Sequence, residues 1–236
     1  GESFDADKGF QLPYTFNSFG ARKIRAVGTS EWGERVVEAV KTVTVTQRND
    51  RADAPRGENN GNSGGLPNVP YFNQYDNYLA PSASCQNTSI AMVLAYLGWG
   101  GVPDDITQSY GKDMAQSPAG LARLFNIYAS RAGLSKQIKP NTSGTFSGLR
   151  AELDRGHPVI IHGYFTSYGH VLVVLGYDEN GYYVNDPAGR WSGVFMGGYS
   201  AGGSGAEVYY NKAAFEAAVG TSNGYHSLPL WYHALR

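Results

Sequence analysis

The chain has 236 residues, a formal net charge of −1 and 17% charged side chains. This near-neutral balance excludes the strong basic field that holds nucleic acid, and no apolar run approaches the roughly 20 residues that span a bilayer. The single cysteine excludes an intramolecular disulfide.

The first 47 residues are predicted to be β-rich. In the stretch 36–47, Val43 and Val45 alternate with threonines, which suits a half-buried strand. Two earlier candidate strands are 10–16 and 22–27. The end of this segment resembles the last strands of bacterial immunoglobulin-like modules, but its length is about half of the ~100 residues typical of one. We therefore interpret it as a partial immunoglobulin-like segment, either a piece of a larger module or a set of strands that pack on the rest of the chain.

Residues 48–67 are predicted to form a flexible linker. The stretch is rich in Gly, Asn and charged residues and has few apolar side chains to bury. It separates the β-rich segment, 1–47, from a second domain over 68–236. One sizeable domain with a small appendage is what a chain of this length can build.

The second domain is predicted to have helices first and antiparallel strands afterwards. Apolar periodicity and capping residues predict four helices, near 85–97, from 104, over 118–132 and over 146–155. Buried-type or hairpin strands follow at 158–162, 170–177, 182–186 and 208–210, and Asn211 caps a last helix through Val219. This order predicts an α+β fold.

The only cysteine, Cys85, opens the first predicted helix. Ser82 and Ser84 are candidate N-caps just upstream, and apolar residues recur at helical spacing downstream. A thiol in the first turn meets the positive end of the helix dipole, which favours its thiolate. That environment can activate a cysteine nucleophile. A lone Cys is more often a small buried hydrophobe, so the catalytic interpretation depends on partners elsewhere.

His170 and Asp186 are the predicted partners. His170 opens the strand 170–177, and Asp186 ends the return strand of the same hairpin. The first residue of one hairpin strand and the last residue of the other lie at the same end of a sheet. We therefore expect His170 and Asp186 to be neighbours, as a base and the group that orients it must be.

The other four histidines fit this role less well. His157 precedes a proline, and His162 ends a strand five residues later, an odd offset that puts the two on opposite faces. His226 and His233 belong to a Tyr-rich tail. A further candidate is Gln74, eleven residues before Cys85, whose amide could stabilise an oxyanion together with the Cys85 backbone N–H.

The sequence offers little for a metal. It has no Cys-x-x-Cys and no His-x-x-x-His. Asp104-Asp105 and Asp178-x-Asn180 could contact calcium, but Asp178 to Gly181 also has the composition of a hairpin turn. We predict no metal and no cofactor.

Five stretches, taken together and in order, resemble the C39-like peptidase family, a group of papain-fold bacterial cysteine hydrolases. They are 69–74 (VPYFNQ), 85–94 (CQNTSIAMVL), 156–160 (GHPVI), 169–178 (GHVLVVLGYD) and 184–187 (VNDP). The resemblance covers about 66–232 and leaves out 1–47. In two respects the chain departs from the family pattern: Ser84-Cys85-Gln86-Asn87-Thr88 replaces the common Gly-Cys-Gly-Pro-Thr, and the spacing from Gln74 to Cys85 is longer than in compact members.

The resemblance implies a papain-like fold with helices packed on an antiparallel sheet. It implies Cys85 as nucleophile, His170 as general base and acid, Asp186 as its orienter and Gln74 at the oxyanion hole. The expected function is a cysteine peptidase or amidase that cleaves peptide bonds through a thioester.

Several alternatives and properties stay open at this point. The same chemistry could serve a peptidoglycan stem-peptide hydrolase or a transpeptidase or transglutaminase-like enzyme, and the scaffold could also be a non-catalytic binding module. The expected partner is a peptide, protein or cell-wall peptide substrate. We expect a monomer in a secreted or cell-envelope setting of a bacterium.

Overall fold

The computed structural model describes residues 20–29, 35–45, 66–199, 203–220 and 230–236. In the N-terminal segment, β1 (Gly20–Thr29) and β2 (Arg35–Val45) form an antiparallel pair in which Gly20 lies opposite Val45. Two of the strands predicted there coincide with this pair. The third, 10–16, and residues 48–65 of the predicted linker lie outside the described residues.

The helices of the second domain begin within one residue of the predicted positions. They are α1 (Cys85–Tyr96), α2 (Pro103–Tyr110), α3 (Pro118–Arg131), α4 (Phe146–Leu153) and α5 (Lys212–Val219). The side chains of Ser117, Thr145 and Asn211 accept hydrogen bonds from the first-turn N–H groups of α3, α4 and α5.

The described strands of this domain form a six-stranded antiparallel sheet in the order β3-β8-β4-β5-β6-β7. They are β3 (Ile138–Gly144), β4 (Val159–Gly163), β5 (His170–Tyr177), β6 (Gly181–Asn185), β7 (Val208–Asn211) and β8 (Leu230–Leu235). The pattern of the sequence does not predict β3 and β8. β3 is a polar edge strand that contains Pro140, and Pro is tolerated at a sheet edge.

Both faces of the sheet are covered, which explains the continuous apolar character of β4 and β5. Ile160, Val171 and Val173 belong to a core shared with α1, α2 and α3. Their neighbours along each strand, such as Ile161 and Leu172, lie on the other face of the sheet and belong to a second core with α4 and α5. The mixed fold confirms the α+β prediction. No helix in the described part of the chain is long and apolar enough to cross a membrane.

Candidate active site

Cys85 lies at the N-terminus of the most deeply buried helix of the domain. From Gln86 to Leu94 every residue of α1 is buried, so the helix is enclosed on all sides and not only along one apolar stripe. Most of its polar side-chain atoms are paired, the exception being Asn87 Oδ1. Ser89 Oγ donates to the Val171 carbonyl on β5 at 3.1 Å. This contact holds α1 against the strand that begins with His170.

The predicted N-cap of α1 has a different role. Ser84 occupies the cap position, but its side chain makes no capping hydrogen bond. Its Oγ accepts a hydrogen bond of 2.9 Å from Asn77 Nδ2, which also donates to Thr88 Oγ1 at 2.9 Å. The first N–H groups of α1 thus lack a side-chain cap and are oriented towards the surroundings of Cys85.

The structure brings Cys85, His170 and Asp186 together. His170 Nε2 lies 2.8 Å from Asp186 Oδ1, across the end of the β5–β6 hairpin. The Cys85 thiol lies close enough to His170 for each group to shift the other's pKa, and its Sγ donates to Gln86 Oε1 at 3.2 Å. Since Nε2 is used by Asp186, Nδ1 is the ring nitrogen left for sulfur. His170 and Asp186 are both buried, whereas Cys85 is half-buried at the base of a cleft.

The electrostatics of the pair favour a thiolate beside an imidazolium. Burial lowers the pKa of His170, but the charges of Asp186 and Cys85 and the hydrogen bonds to both outweigh it and raise the pKa to about 10. Burial raises the pKa of the Cys85 thiol. The charge and hydrogen bond of His170, with backbone N–H groups of Val171 and Gln86, outweigh burial and hold the thiol pKa below its ordinary value.

The Asp186 carboxylate accepts more hydrogen bonds than a simple dyad needs. The backbone N–H of Ala188 donates to Oδ1 at 3.0 Å, and the hydroxyls of Tyr199 and Tyr210 each donate to Oδ2 at 2.8 Å. Burial and the charge of Asp186 raise the pKa of both tyrosines far above the usual value, so both remain donors. The Tyr199 ring also packs edge-on against His170, with 5.1 Å between ring centroids.

The backbone around Asp186 is held as firmly as its side chain. Asp186 N donates to the Gly205 carbonyl at 2.8 Å, and Tyr71 Oη donates to the Asp186 carbonyl at 3.0 Å. A Cβ on Gly205 would lie 1.9 Å from that same carbonyl oxygen, so only glycine fits there. Residues far apart in the sequence therefore fix the orientation of the carboxylate.

Gln74 lies in the same cleft as Cys85. It begins a 3₁₀ turn over Gln74–Asp76 and is buried. Its side-chain Nε2 donates to the Pro81 carbonyl at 3.0 Å, and its backbone N–H donates to the Pro187 carbonyl at 2.8 Å. One amide hydrogen of Nε2 is thereby used and the second is left. The turn is tied directly to the residue that follows Asp186.

The cleft has a volume of about 550 Å³ and contains residues that sequence reasoning did not select. His162 lies on β4 opposite Val171 of β5, and its ring is 5.5 Å from that of Trp231 on β8. His233 also lines the cleft, with Nε2 2.8 Å from the Pro118 carbonyl oxygen. His226 lies outside the described residues. No local sequence pattern marks His162 as a residue of the cleft, because only the pairing of β4 with β5 and β8 brings it there.

Asp104 and Asp178, considered above for calcium, accept hydrogen bonds from backbone N–H groups instead. Asp178 Oδ1 accepts from the backbone N–H groups of Asn180 and Gly181 at 2.8 and 2.9 Å, as a hairpin turn requires. The Asp104 carboxylate accepts from the backbone N–H groups of Tyr78 and Leu79, both at 2.8 Å. Within the described residues, no group of three His, Cys, Asp or Glu side chains could hold a metal ion.

Comparisons with known proteins agree on one family. A model described as the Peptidase_C39 like family matches residues 66–218. A matching solved structure, a Bacillus anthracis protein assigned as a C39-like peptidase, is 17% identical with a TM-score of 0.51 and is aligned over 72% of this chain and 96% of its own. This likeness identifies the fold as papain-like.

A second solved structure is a double glycine motif protease from an AMS/PCAT transporter in complex with the leader peptide. It is 17% identical with a TM-score of 0.46, aligned over 74% of this chain and 95% of its own. No curated protein matches the chain.

Proposed function

Because the chain belongs to the C39-like peptidase family, we propose that it is a cysteine peptidase in which Cys85, His170 and Asp186 act as a catalytic triad. The observation that carries this proposal is the juxtaposition of thiol, imidazole and carboxylate: Cys85 and His170 line one cleft, and His170 is bonded to Asp186 behind it. A general base must lie within hydrogen-bonding reach of the group it deprotonates, and His170 meets that condition.

The geometry supports acyl transfer in two steps. The Cys85 thiolate attacks the carbonyl carbon and forms a C–S bond, and negative charge moves to the carbonyl oxygen. When the C–N bond breaks, the protonated His170 gives its proton to the leaving amine. A water molecule, deprotonated by His170, then attacks the thioester, and the carboxylic acid product leaves as the C–S bond breaks.

The oxyanion needs donors that are fixed before the reaction. The Cys85 backbone N–H is one of the four N–H groups at the start of α1 that have no partner within the helix. The second amide hydrogen of Gln74 is the other proposed donor, and the contacts of Gln74 with Pro81 and Pro187 hold the amide in place. Preorganised donors of this kind lower the barrier without reorganising during the reaction.

Removing the Gln74 amide tests its role. We expect Gln74→Ala to lower kcat by about 10²–10³-fold with a smaller change in KM, as loss of one oxyanion donor does elsewhere. Gln74→Glu is the matched variant, since it keeps the size but replaces the N–H donor by an oxygen. Alkylation of Cys85 by iodoacetamide forms no oxyanion, so its rate should stay near that of the wild type. A kcat within threefold of the wild type in both variants would contradict this role.

Digestion of defined substrates tests the function itself. The wild-type chain is incubated with denatured protein and with purified sacculi, and mass spectrometry identifies the products. The control is the same protein after iodoacetamide treatment, with modification of Cys85 verified by peptide mapping. We expect new peptide termini in denatured protein with the untreated chain and none with the alkylated chain.

Each other outcome favours a different function. Products from sacculi alone would favour a peptidoglycan stem-peptide hydrolase, and products joined to an added amine would favour an acyl transferase. No product, together with a Cys85 that is no more reactive than free cysteine, would favour a non-catalytic binding module. The secreted or cell-envelope location stays a prediction.

A further inference from the structure

The cleft around Cys85 is lined by uncharged side chains. Among the residues that the structure describes, no Asp, Glu, Lys or Arg lines it. The two undescribed stretches within this domain, 200–202 and 221–229, contain none of these residue types. Among the described lining residues, the formal charges are therefore those of the Cys85–His170 pair, and the Asp186 carboxylate lies buried behind His170.

Two further imidazoles in the cleft are also neutral near pH 7. Burial, followed by the charge of His170, lowers the pKa of His162 to about 4. Burial likewise lowers the pKa of His233, whose Nε2 is placed to donate to the Pro118 carbonyl. These rings supply polar atoms and apolar area but no charge.

Aromatic rings stand at the rim and along the wall of the cleft. Tyr75, from the 3₁₀ turn, is 56% exposed, and Tyr168, from the β4–β5 loop, is 98% exposed. Trp231 is half-buried beside His162. Large aromatic side chains left open to solvent commonly mark contact surfaces, and they offer contact area at low conformational cost.

We propose that this cleft selects a peptide segment whose side chains next to the cleaved bond are uncharged, with Tyr75, Tyr168, His162 and Trp231 as its contact residues. This inference rests on the proposed peptidase function. A charged side chain that entered the cleft would lose water and find no opposite charge among the lining residues other than the reacting Cys85–His170 pair, which is unfavourable. An uncharged side chain loses less on leaving water and gains contact with the aromatic rings.

Pairs of peptides that differ by one charge test the selection. The starting sequence is the peptide cleaved fastest in the digestion above. At one position at a time, on both sides of the cleaved bond, two peptides are made that carry either Gln and Glu or Met and Lys at that position. We expect the charged member to lose on the order of 100-fold in kcat/KM at positions beside the cleaved bond. The loss should fall below about threefold at distant positions, where the side chain stays in water.

A charge placed in the cleft should change this preference in a known direction. Gln116 is an exposed residue of the lining. In Gln116→Glu the ratio of kcat/KM for Lys-containing to Glu-containing peptides should rise about tenfold, and in Gln116→Lys it should fall by a similar factor. Lys139→Gln is the matched control, since Lys139 is exposed on β3 outside the lining and this change alters the net charge by the same amount as Gln116→Glu.

Two results would separate failure of this inference from failure of the proposed function. Cleavage of charged and uncharged peptides at equal rates at every position would overturn the selection while leaving the peptidase intact. No cleavage of any substrate in the digestion above would overturn the peptidase function, and the selection with it.

Discussion

Replacing Cys85 with Ala should lower kcat by about 10⁴–10⁶-fold, because the acyl-enzyme can no longer form. Cys85→Ser should be nearly as inactive, since a hydroxyl beside His170 does not ionise as a thiol does. Substrate should still bind, because the lining of the cleft is otherwise unchanged. Steady-state kinetics on the best peptide substrate give kcat, and a binding titration with the Ala variant gives Kd.

A covalent readout accompanies the kinetics. A rapid acid quench of the wild type during turnover should show a species heavier by the mass of the acyl group on the Cys85 peptide, and neither variant should show it. An Ala variant that retains more than 1% of the wild-type kcat would refute the assignment of Cys85 as nucleophile.

Replacing Asp186 with Ala should have the second-largest effect, on both activity and stability. The change leaves His170, the backbone N–H of Ala188 and the hydroxyls of Tyr199 and Tyr210 without their common acceptor. We expect kcat/KM to fall by about 10²–10⁴-fold, because the imidazole loses its orientation. The free energy of unfolding should fall by about 3–5 kcal/mol, measured by urea denaturation.

The pH dependence of kcat/KM separates orientation from a merely structural role. The reactive state, thiolate with imidazolium, exists above the lowered pKa of Cys85 and below the raised pKa of His170. The wild-type profile should therefore be bell-shaped, with its alkaline limb near pH 10. In Asp186→Ala that limb should move down by several pH units, since burial then lowers the pKa of His170 without an opposing carboxylate.

Asp186→Asn is the matched variant for this experiment. Its amide oxygen can still accept from His170 and Ala188, so the orientation is kept while the negative charge is lost. We expect activity and stability between those of the wild type and the Ala variant. An alkaline limb that stays near pH 10 in both variants would refute the role of Asp186 in supporting the imidazolium.

Local signals in the sequence predict most of the elements that position the candidate site. Ser117-Pro118 places the start of α3, and the Asp178–Gly181 turn places the β5–β6 hairpin with little error. The same hairpin brings His170 and Asp186 to one end of the sheet, as expected. These predictions succeed because caps, alternation and turns involve residues only a few positions apart.

The two strands that were not predicted lack such signals. β3 is polar and sits at the edge of the sheet, and β8 pairs with β3 and β4, about 90 and 70 residues earlier in the chain. The sequence pattern of β8 is that of a Tyr-rich tail, so it does not connect Trp231 and His233 with the cleft. Only the pairing of β8 with β4 brings their side chains beside His162.

The α+β class, the helix that begins at Cys85 and the juxtaposition of His170 with Asp186 are all predictable from the sequence, because each follows from patterns within short stretches of the chain. Long-range packing is what encloses α1 on all sides and brings Tyr199 and Tyr210 to the Asp186 carboxylate. It also leaves the cleft without a described Asp, Glu, Lys or Arg in its lining. These features depend on packing between residues 13 to more than 100 positions apart, for which a single sequence carries no local pattern.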